Sequence, residues 1–360
     1  MRLRGNLPRM NTRSPDTPEM PLPASHDSRP QCWVVSEGAA GTENQCLGLA
    51  EALGFTPIVK RIQVRAPWRW LSPDLWPNAI AALSGEGDSM APPWPRVLIA
   101  SGKKAAAPAM AVRKMSGGRT FTIQVQDPRV SPVNFDLVVA PQHDGVVGGN
   151  VIQTVGALTR VTKSRLDAAR ESFAPMVADL PQPRVAVLVG GRSRGYDLTP
   201  AVARQLGLDL AEVCARHGAG LMVTTSRRTP PDAAAELRSV LKYQPAIVWE
   251  AGRSAGENPY FGFLALAEHI VVTADSVSMA SEAASTGKPV YIAAMKGSRA
   301  KFQRFHEQLQ DLGIARTFDG TLGDWRYKPL DETSRVAGLV AKALRAREAA
   351  DTTDSAGHSL

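Results

Sequence analysis

Short apolar runs alternate with longer amphipathic segments along most of the chain. The runs CWVVS (32–36), RVLIAS (96–101) and HIVVTAD (269–275) are rich in apolar residues and do not alternate with polar ones. This pattern is typical of strands that are buried on both faces of a parallel sheet. Segments with helical spacing, such as NQCLGLAEALG (44–54), lie between such runs. The alternation predicts an α/β fold.

The strand and helix patterns fall into two groups, separated by a polar segment that contains DLPQP (179–183). A new buried-strand run, RVAVLVGG, follows that segment and begins the second group. Each group has the length of one α/β domain. We therefore predict two Rossmann-like domains that face a cleft, over residues 31–165 and 183–330.

The two ends of the chain show different patterns. ETSRVAGLVAKALRAREAA is amphipathic with helical spacing, which predicts a C-terminal helix over residues 331–350 that packs back across the interdomain region. Residues 351–360 are expected to form a polar tail. Arg, Pro, Ser and Asp dominate residues 1–30, where no apolar run occurs, and this composition favours a disordered leader.

Charge and hydropathy narrow the range of partners. No stretch approaches the roughly 18 uninterrupted apolar residues that cross a bilayer, so we expect a cytoplasmic protein or one that is peripheral at the inner face of the cytoplasmic membrane. The net charge of +8 favours anionic partners such as sugar nucleotides and an anionic membrane surface. Nucleic acid is disfavoured because no Lys/Arg block interleaved with aromatic residues occurs.

Several cofactor signatures are missing. Cys32, Cys46 and Cys214 are widely separated and form no CxxC motif, which argues against a disulfide framework and a zinc site. No DxD motif occurs, so we expect no metal ion and no cofactor. The chain also lacks GxGxxG, a tyrosine followed four residues later by lysine, and the P-loop motif, which argues against dinucleotide-dependent epimerases and P-loop NTPases.

The segment ADSVSMASEAASTGKPVYI (274–292) is the most informative motif. After a buried strand it predicts a small-residue loop, a helix and a second strand. The backbone amides at the start of that helix, around Ser276, Ser278 and Met279, can receive a phosphate. Glu282 follows within the first helical turns, where its carboxylate can accept hydrogen bonds from ribose hydroxyls. The alternative is an exposed or capping residue.

Two further loops of the second domain suit a diphosphate. Gly190 and Gly191 end a strand and precede Arg192, and Ser226 and Arg227 follow the strand GLMV. The carboxyl ends of strands are where open α/β sheets bind ligands, and arginine matches phosphate oxygens with its planar fork. A solvated surface turn is the alternative for the glycine loop.

The first domain offers acceptor and acid/base candidates. In SEGAAGTENQ (36–45), Gly41, Asn44 and Gln45 lie near a helix start, where they can bind an acceptor or cap the helix. Asp127, His143 and Asp144 lie beyond two consecutive strands. We place Asp127 on the acceptor side and take His143 or Asp144 as the general base, although either can instead cap a turn.

The chain resembles the family of bacterial relatives of the plant elongated-mitochondria fission factor over most of residues 31–344. The motifs that carry the resemblance are, in order, SEGAAGTENQCLGLAEALG, QVQDPRV, VAPQHD, VGGRSRGYDL, TTSRRTP and NPYFGFLALAEHIVVTADSVSMASEAASTGKPV (258–290). The resemblance implies a GT-B-like fold and, for bacterial members, a glycosyltransferase role. The 274–292 segment resembles the donor half-site of GT-B glycosyltransferases, in which a helical Glu holds the ribose. The plant relative is implicated in recruiting division machinery to mitochondria, so the fold does not settle function.

The sequence therefore predicts a metal-independent transferase that moves a sugar from a nucleoside-diphosphate sugar to a cell-envelope glycan or lipid-linked acceptor. The alternative is a non-catalytic peripheral membrane or protein adaptor that retains the fold. Trp68, Trp70 and Trp76, near Arg65 and Arg69, can form its binding surface or an acceptor lip, although buried packing is expected for at least two of these tryptophans.

Overall fold

A computed structural model describes residues 31–193 and 195–357, with side chains as far as Asp351. The predicted leader over residues 1–30 lies outside the described residues. Within the described ranges, no helix combines the length and the apolar character needed to cross a membrane.

The first domain is built on a parallel six-stranded sheet with strand order β2-β1-β3-β4-β5-β6. Its strands are β1 (Cys32–Ser36), β2 (Ile58–Arg61), β3 (Val97–Ser101), β4 (Phe121–Val125), β5 (Leu137–Pro141) and β6 (Val151–Thr154). Helix α1 (Ala40–Ala52) covers one face and helix α2 (Gly102–Met115) the other. Successive residues of β1 alternate between these faces, as a strand requires, and both faces are apolar because both are covered.

The second domain contains another parallel six-stranded sheet. The strands after the first sheet are β7 (Arg184–Val189), β8 (Tyr196–Asp197), β9 (Gly220–Thr225), β10 (Ala246–Trp249), β11 (His269–Thr273), β12 (Val290–Ala293), β13 (Lys296–Gly297) and β14 (Ala315–Thr317). Strands β8 and β13 form a short antiparallel ribbon, and the others form the sheet in the order β10-β9-β7-β11-β12-β14. This is the Rossmann order, and the two sheets confirm the predicted fold class.

Helices cover both faces of the second sheet. The remaining helices are α3 (Lys163–Phe173), α4 (Pro200–His217), α5 (Pro231–Leu241), α6 (Tyr260–Leu266), α7 (Val277–Ala284), α8 (Ala300–Asp311) and α9 (Glu332–Gly357). Apolar residues of α4 and α5 pack on one face, whereas α6, α7 and α8 pack on the other. Helix α3, which spans the predicted end of the first domain at residue 165, places Leu166 and Phe173 against this second core.

The last helix returns to the first domain. Val336, Val340 and Leu344 of α9 are buried in the same apolar cluster as Leu49 of α1. Their spacing of four residues places them along one helix face. The helix continues to Gly357, so the segment expected to be a polar tail begins within it. The chain thus crosses between the domains twice, before α3 and before α9.

Candidate functional site

A cleft of about 950 Å³ lies between the carboxyl edges of the two sheets. In each sheet the strand order reverses beside the first strand, at β1 and at β7, and crevices form at such positions in open α/β sheets. Eleven predicted site residues line the cleft: Gly41, Asn44, Gln45, His143, Asp144, Ser226, Arg227, Ser276, Ser278, Met279 and Glu282. Gly190, Gly191, Arg192 and Asp127 are not among its lining residues.

Helix α7 begins at the cleft with Ser276 as its N-cap. The Met279 amide donates to the Ser276 hydroxyl at 3.3 Å, which satisfies one of the amides left unpaired by the helix start. This amide is therefore engaged by the cap, contrary to the expectation that it would face a diphosphate. The amides of the first turn that precede it, at Val277 and Ser278, remain as the donors that the helix can offer to an anion.

Glu282 lies one turn further along α7 and is buried, with 7% of its surface exposed. The Tyr260 hydroxyl donates a hydrogen bond to its Oε2 atom. Burial raises the pKa of Glu282 to about 7, although this hydrogen bond opposes the shift. Burial, followed by the Glu282 carboxyl, raises the pKa of Tyr260. The pair places a carboxyl group in the cleft that can exchange a proton near neutral pH.

The glycines at the end of β7 serve the packing of the protein itself. The Gly190 amide donates to the Thr273 hydroxyl at 2.8 Å, and the Gly191 amide donates to Asp275 Oδ2 at 3.0 Å. A Cβ atom at Gly190 would lie 2.1 Å from Asp275 Oδ1, and one at Gly191 would lie 2.0 Å from the Arg228 carbonyl oxygen. Glycine is required here because Asp275 and the loop after β9 approach the backbone so closely.

The three arginines of the second-domain loops are placed differently. Arg192 is exposed and pairs with Asp197 at 3.1 Å, away from the cleft. Arg228 forms an ion pair with the buried Asp275 at 2.8 Å. Arg227 lines the cleft, and no hydrogen bond or ion pair engages it within the described ranges. Of the three guanidinium groups, that of Arg227 is therefore the one available to an anion.

The start of α1 meets the start of α7 in the lining of the cleft. The Gln45 side-chain amide donates to the Gly41 carbonyl at 2.9 Å and to the Ser278 hydroxyl at 3.4 Å. Glu43, on the same turn, accepts a hydrogen bond from Ser36 at 2.8 Å and pairs with Arg61 at 2.9 Å. The Arg61 hydrogen bond lowers the pKa of Glu43, and the charge of Arg227 across the cleft adds to this effect.

His143 and Asp144 lie on a 3₁₀ turn, Gln142–Asp144, directly after β5. Asp144 pairs with Lys301 of α8 at 2.7 Å, and the His143 carbonyl accepts from Arg304 of the same helix at 3.0 Å. His143 is buried beside Phe305, and its Nδ1 atom has no hydrogen-bond partner in the described structure. Burial lowers the pKa of His143 to about 4, so the ring is neutral at pH 7.

Asp127, which the sequence placed on the acceptor side, does not line the cleft, whereas its neighbour Gln126 does. Asp127 accepts a hydrogen bond from the Arg129 amide at 2.8 Å and pairs with its guanidinium, so it stabilises a turn. Gln126, with a left-handed φ of 68°, lines the cleft instead. A non-glycine residue in this region of φ is uncommon and is often found near functional sites.

The sequence analysis did not identify Tyr260 or Lys301 as site residues. It also missed that Asp275 bonds to Gly191, Thr273 and Arg228. Tyr260 and Glu282 come from different helices, and Lys301 and Asp144 come from different domains. No local pattern reports such pairs. The one available signal was the polar or charged character of residues near the carboxyl ends of strands. No group of three or more His, Cys, Asp or Glu side chains in the described ranges could hold a metal ion.

Two parallel Rossmann-type sheets whose carboxyl edges face a common cleft define the GT-B-like class of folds. A solved UDP-GlcNAc 2-epimerase from Methanocaldococcus jannaschii matches at a TM-score of 0.52 with 11% identity, over 87% of this chain and 99% of that chain. At this identity the likeness concerns the fold.

The chain belongs to the family described as mitochondrial fission ELM1, whose model matches residues 40–344. The mitochondrial fission protein ELM1 of Arabidopsis thaliana is 27% identical over 418 residues, covering 94% of this chain and 96% of the relative. An uncharacterised Rickettsia prowazekii protein is 26% identical over 357 residues, covering 87% and 98%. These matches confirm the family resemblance that the motif order indicated.

Proposed function

We propose that the protein transfers a sugar from a nucleoside-diphosphate sugar to a cell-envelope glycan or lipid-linked acceptor. The observation that carries the proposal is the content of one cleft: the buried carboxyl of Glu282, the unpaired guanidinium of Arg227 and the neutral imidazole of His143. The Glu282 carboxyl can accept hydrogen bonds from ribose hydroxyls, and the Arg227 guanidinium can bind phosphate. The His143 imidazole can accept a proton. The Methanocaldococcus jannaschii fold relative is named for a UDP-sugar, and its name supports this class of donor.

On the donor side, Glu282 would hold the ribose hydroxyls. Tyr260 occupies Oε2, so Oε1 is the oxygen left for the ligand. Arg227, the start of α7 and the hydroxyls of Ser226 and Ser278 would face the diphosphate. As the bond between the anomeric carbon and the diphosphate breaks, negative charge grows on the leaving oxygen, and a cation and a helix N-terminus stabilise that charge. In the proposed reaction these protein groups take the place of a metal ion.

On the acceptor side, His143 would act as the base. Its neutral ring can take the proton of the acceptor hydroxyl as that oxygen bonds to the anomeric carbon. The buried Nδ1 leaves Nε2 as the nitrogen for this role, 3.8 Å from Asp144 Oδ1. Asp144 would stabilise the imidazolium that forms, while Lys301 holds the carboxylate in place. Gly41, Asn44 and Gln45 would contact the acceptor.

Nucleotide binding tests the proposal. Wild type is titrated with a panel of nucleoside diphosphates and nucleotide sugars, and binding is followed by thermal shift and calorimetry. We expect selective binding, and Arg227→Ala should weaken it by about tenfold or more, because hydrogen bonds to charged groups contribute about 1.5–3 kcal/mol. Arg204→Ala is the matched control, since Arg204 pairs with Glu236 outside the cleft. Absence of binding to every nucleotide would contradict the transferase.

The second candidate is the non-catalytic adaptor, which family membership favours because the Arabidopsis relative is named for mitochondrial fission. It predicts partner binding without sugar transfer. Product analysis separates the candidates: transfer links the sugar to an acceptor, whereas an adaptor leaves the nucleotide sugar intact. An epimerised sugar, formed without an acceptor, would instead indicate the activity that names the fold relative.

A further inference from the structure

The segment between β2 and β3 carries two consecutive 3₁₀ turns, Trp68–Trp70 and Pro73–Leu75. Trp76 is buried, and Trp68 packs beside it against Ala107 and Met110 of α2. These contacts anchor the segment to the first domain, and they match the expectation that two of the three tryptophans are packed. The remaining side chains of the segment are therefore held on a fixed surface of the domain.

Three large apolar side chains of this segment face the solvent. Trp70 is 65% exposed, Leu75 is 61% exposed and Leu71 is 37% exposed, all within six residues of chain. Scattered exposed apolar residues are normal on a protein surface, but a local group of large ones marks an interaction site.

Cations accompany these apolar residues. The Arg69 guanidinium lies 4.5 Å from the centre of the Trp70 ring, and Lys103 Nζ lies 3.5 Å from the Trp70 carbonyl oxygen. Arg65 lies on the same segment, and its guanidinium donates a hydrogen bond to the Ala81 carbonyl oxygen. None of the three forms an ion pair within the described ranges, and Asp74 is the acidic residue between the apolar side chains. The six residues Arg65, Arg69, Trp70, Leu71, Leu75 and Lys103 form what we term the basic-apolar patch.

We propose that the basic-apolar patch docks the protein onto an anionic phospholipid bilayer. Tryptophan suits the head-group region, leucine enters the acyl boundary, and arginine and lysine meet lipid phosphates. The complementarity of charge favours an anionic lipid surface over an apolar protein groove, because each basic residue near such a surface contributes about 1 kcal/mol.

One residue of the patch lies next to a residue that contacts the cleft lining. Lys103 is followed by Lys104, which pairs at 2.6 Å with Glu37, a residue of the cleft lining. The patch residue Lys103 is thus adjacent in sequence to a residue that contacts the cleft lining. Docking by itself does not depend on the proposed transferase activity.

Vesicle flotation with the full chain tests the proposal. We expect wild type to bind vesicles that contain phosphatidylglycerol and to ignore vesicles of phosphatidylcholine alone. Arg69→Glu should weaken binding by at least fivefold, which corresponds to about 1 kcal/mol per basic residue. Trp70→Ala combined with Leu71→Ser should weaken binding at least as much, because apolar insertion is lost. Thermal unfolding confirms that each variant is folded.

Lys242→Glu and Tyr243→Ala are the matched controls. Tyr243 is 83% exposed in the second domain, with Lys242 Nζ 5.1 Å from its ring centre. Lys242→Glu therefore reverses one charge, and Tyr243→Ala removes one exposed aromatic ring, outside the patch. They should retain near wild-type binding. If the control and patch variants lose binding equally, non-specific attraction by net charge explains the binding, and docking through the patch is refuted. If wild type does not bind anionic vesicles, docking is refuted, whereas nucleotide binding remains a separate result.

Discussion

In the second domain, the polar groups at the carboxyl edge of the sheet bond mainly to one another, whereas in the first domain several bond across the cleft to the second domain. Asp275 joins Gly191, Thr273 and Arg228, all from its own domain. By contrast, Asp144 and Gln45 reach Lys301 and Ser278 of the opposite domain.

We call the residues that each domain contributes to the cleft lining the wall of that domain. The difference in bonding indicates which wall is preorganised. Asp275 and Glu282 of the second-domain wall are fixed by hydrogen bonds inside one folded unit, so these two side chains would keep their geometry if the domains moved apart. The first-domain wall depends in part on the closed arrangement of the two domains. A preorganised wall in one domain and a closure-dependent wall in the other suit a cleft that closes around its ligand.

The largest effect should come from substituting Gly191, where a side chain breaks the second-domain network. Because the new Cβ atom would meet the Arg228 carbonyl at 2.0 Å, Gly191→Ala should destabilise the fold by about 3 kcal/mol, the upper range for overpacking. Urea denaturation measures the change. Gly41→Ala is the first-domain control: its Cβ would lie 3.3 Å from the Ser278 hydroxyl, so its stability should stay within about 1 kcal/mol of wild type. Equal stability of both variants would show that the second wall is not rigid.

Glu282→Gln should change how stability depends on pH. The folded pKa near 7 lies above the ordinary value of about 4.3, so the folded state holds the proton between these values and stability falls as pH rises through them. The amide resembles the protonated acid, so the variant should exceed wild type by on the order of 3 kcal/mol above about pH 7 and match it near pH 4. Denaturation at several pH values measures this difference. Glu236→Gln, which makes the same substitution at an ion pair outside the cleft, is the matched control.

His143→Gln should show the opposite sign and thereby sharpen the contrast between the walls. The folded pKa near 4 lies below the ordinary value of about 6.5, so the unfolded state takes the proton and stability falls as pH drops through this window. The variant should lose less stability than wild type by about 2 kcal/mol between pH 6.5 and 4. His306 has a similarly lowered pKa and is present in both proteins, so it cancels in the comparison. Identical pH profiles would mean that His143 is not buried in solution.

The smallest effect concerns the contact between the domains. Lys301→Met should destabilise the protein by about 1 kcal/mol, because the Lys301 side chain is 29% exposed and water screens much of its attraction to Asp144. Asp144→Asn should remove most of that penalty in the double variant, and a double-mutant cycle measures the coupling. Additive effects would show that the ion pair does not form and that the first-domain wall is independent of its neighbour.

The order of short apolar runs and amphipathic segments determined the α/β class, the two sheets and the loops at their carboxyl edges. These features follow from local periodicity, which a single chain displays directly. The motif order also indicated the family, and Ser276 and Glu282 were placed at the cleft because both follow one strand closely.

Only the tertiary structure decided which of these residues are available. Tyr260 bonds to Glu282, and Lys301 bonds to Asp144. Asp275 accepts the hydrogen bond of the Gly191 amide. The two residues of each pair are far apart in the sequence. The same packing left Arg227 unpaired while it engaged Arg228. Such contacts depend on how elements distant in the sequence pack against one another after folding, and no periodicity in the sequence reports them.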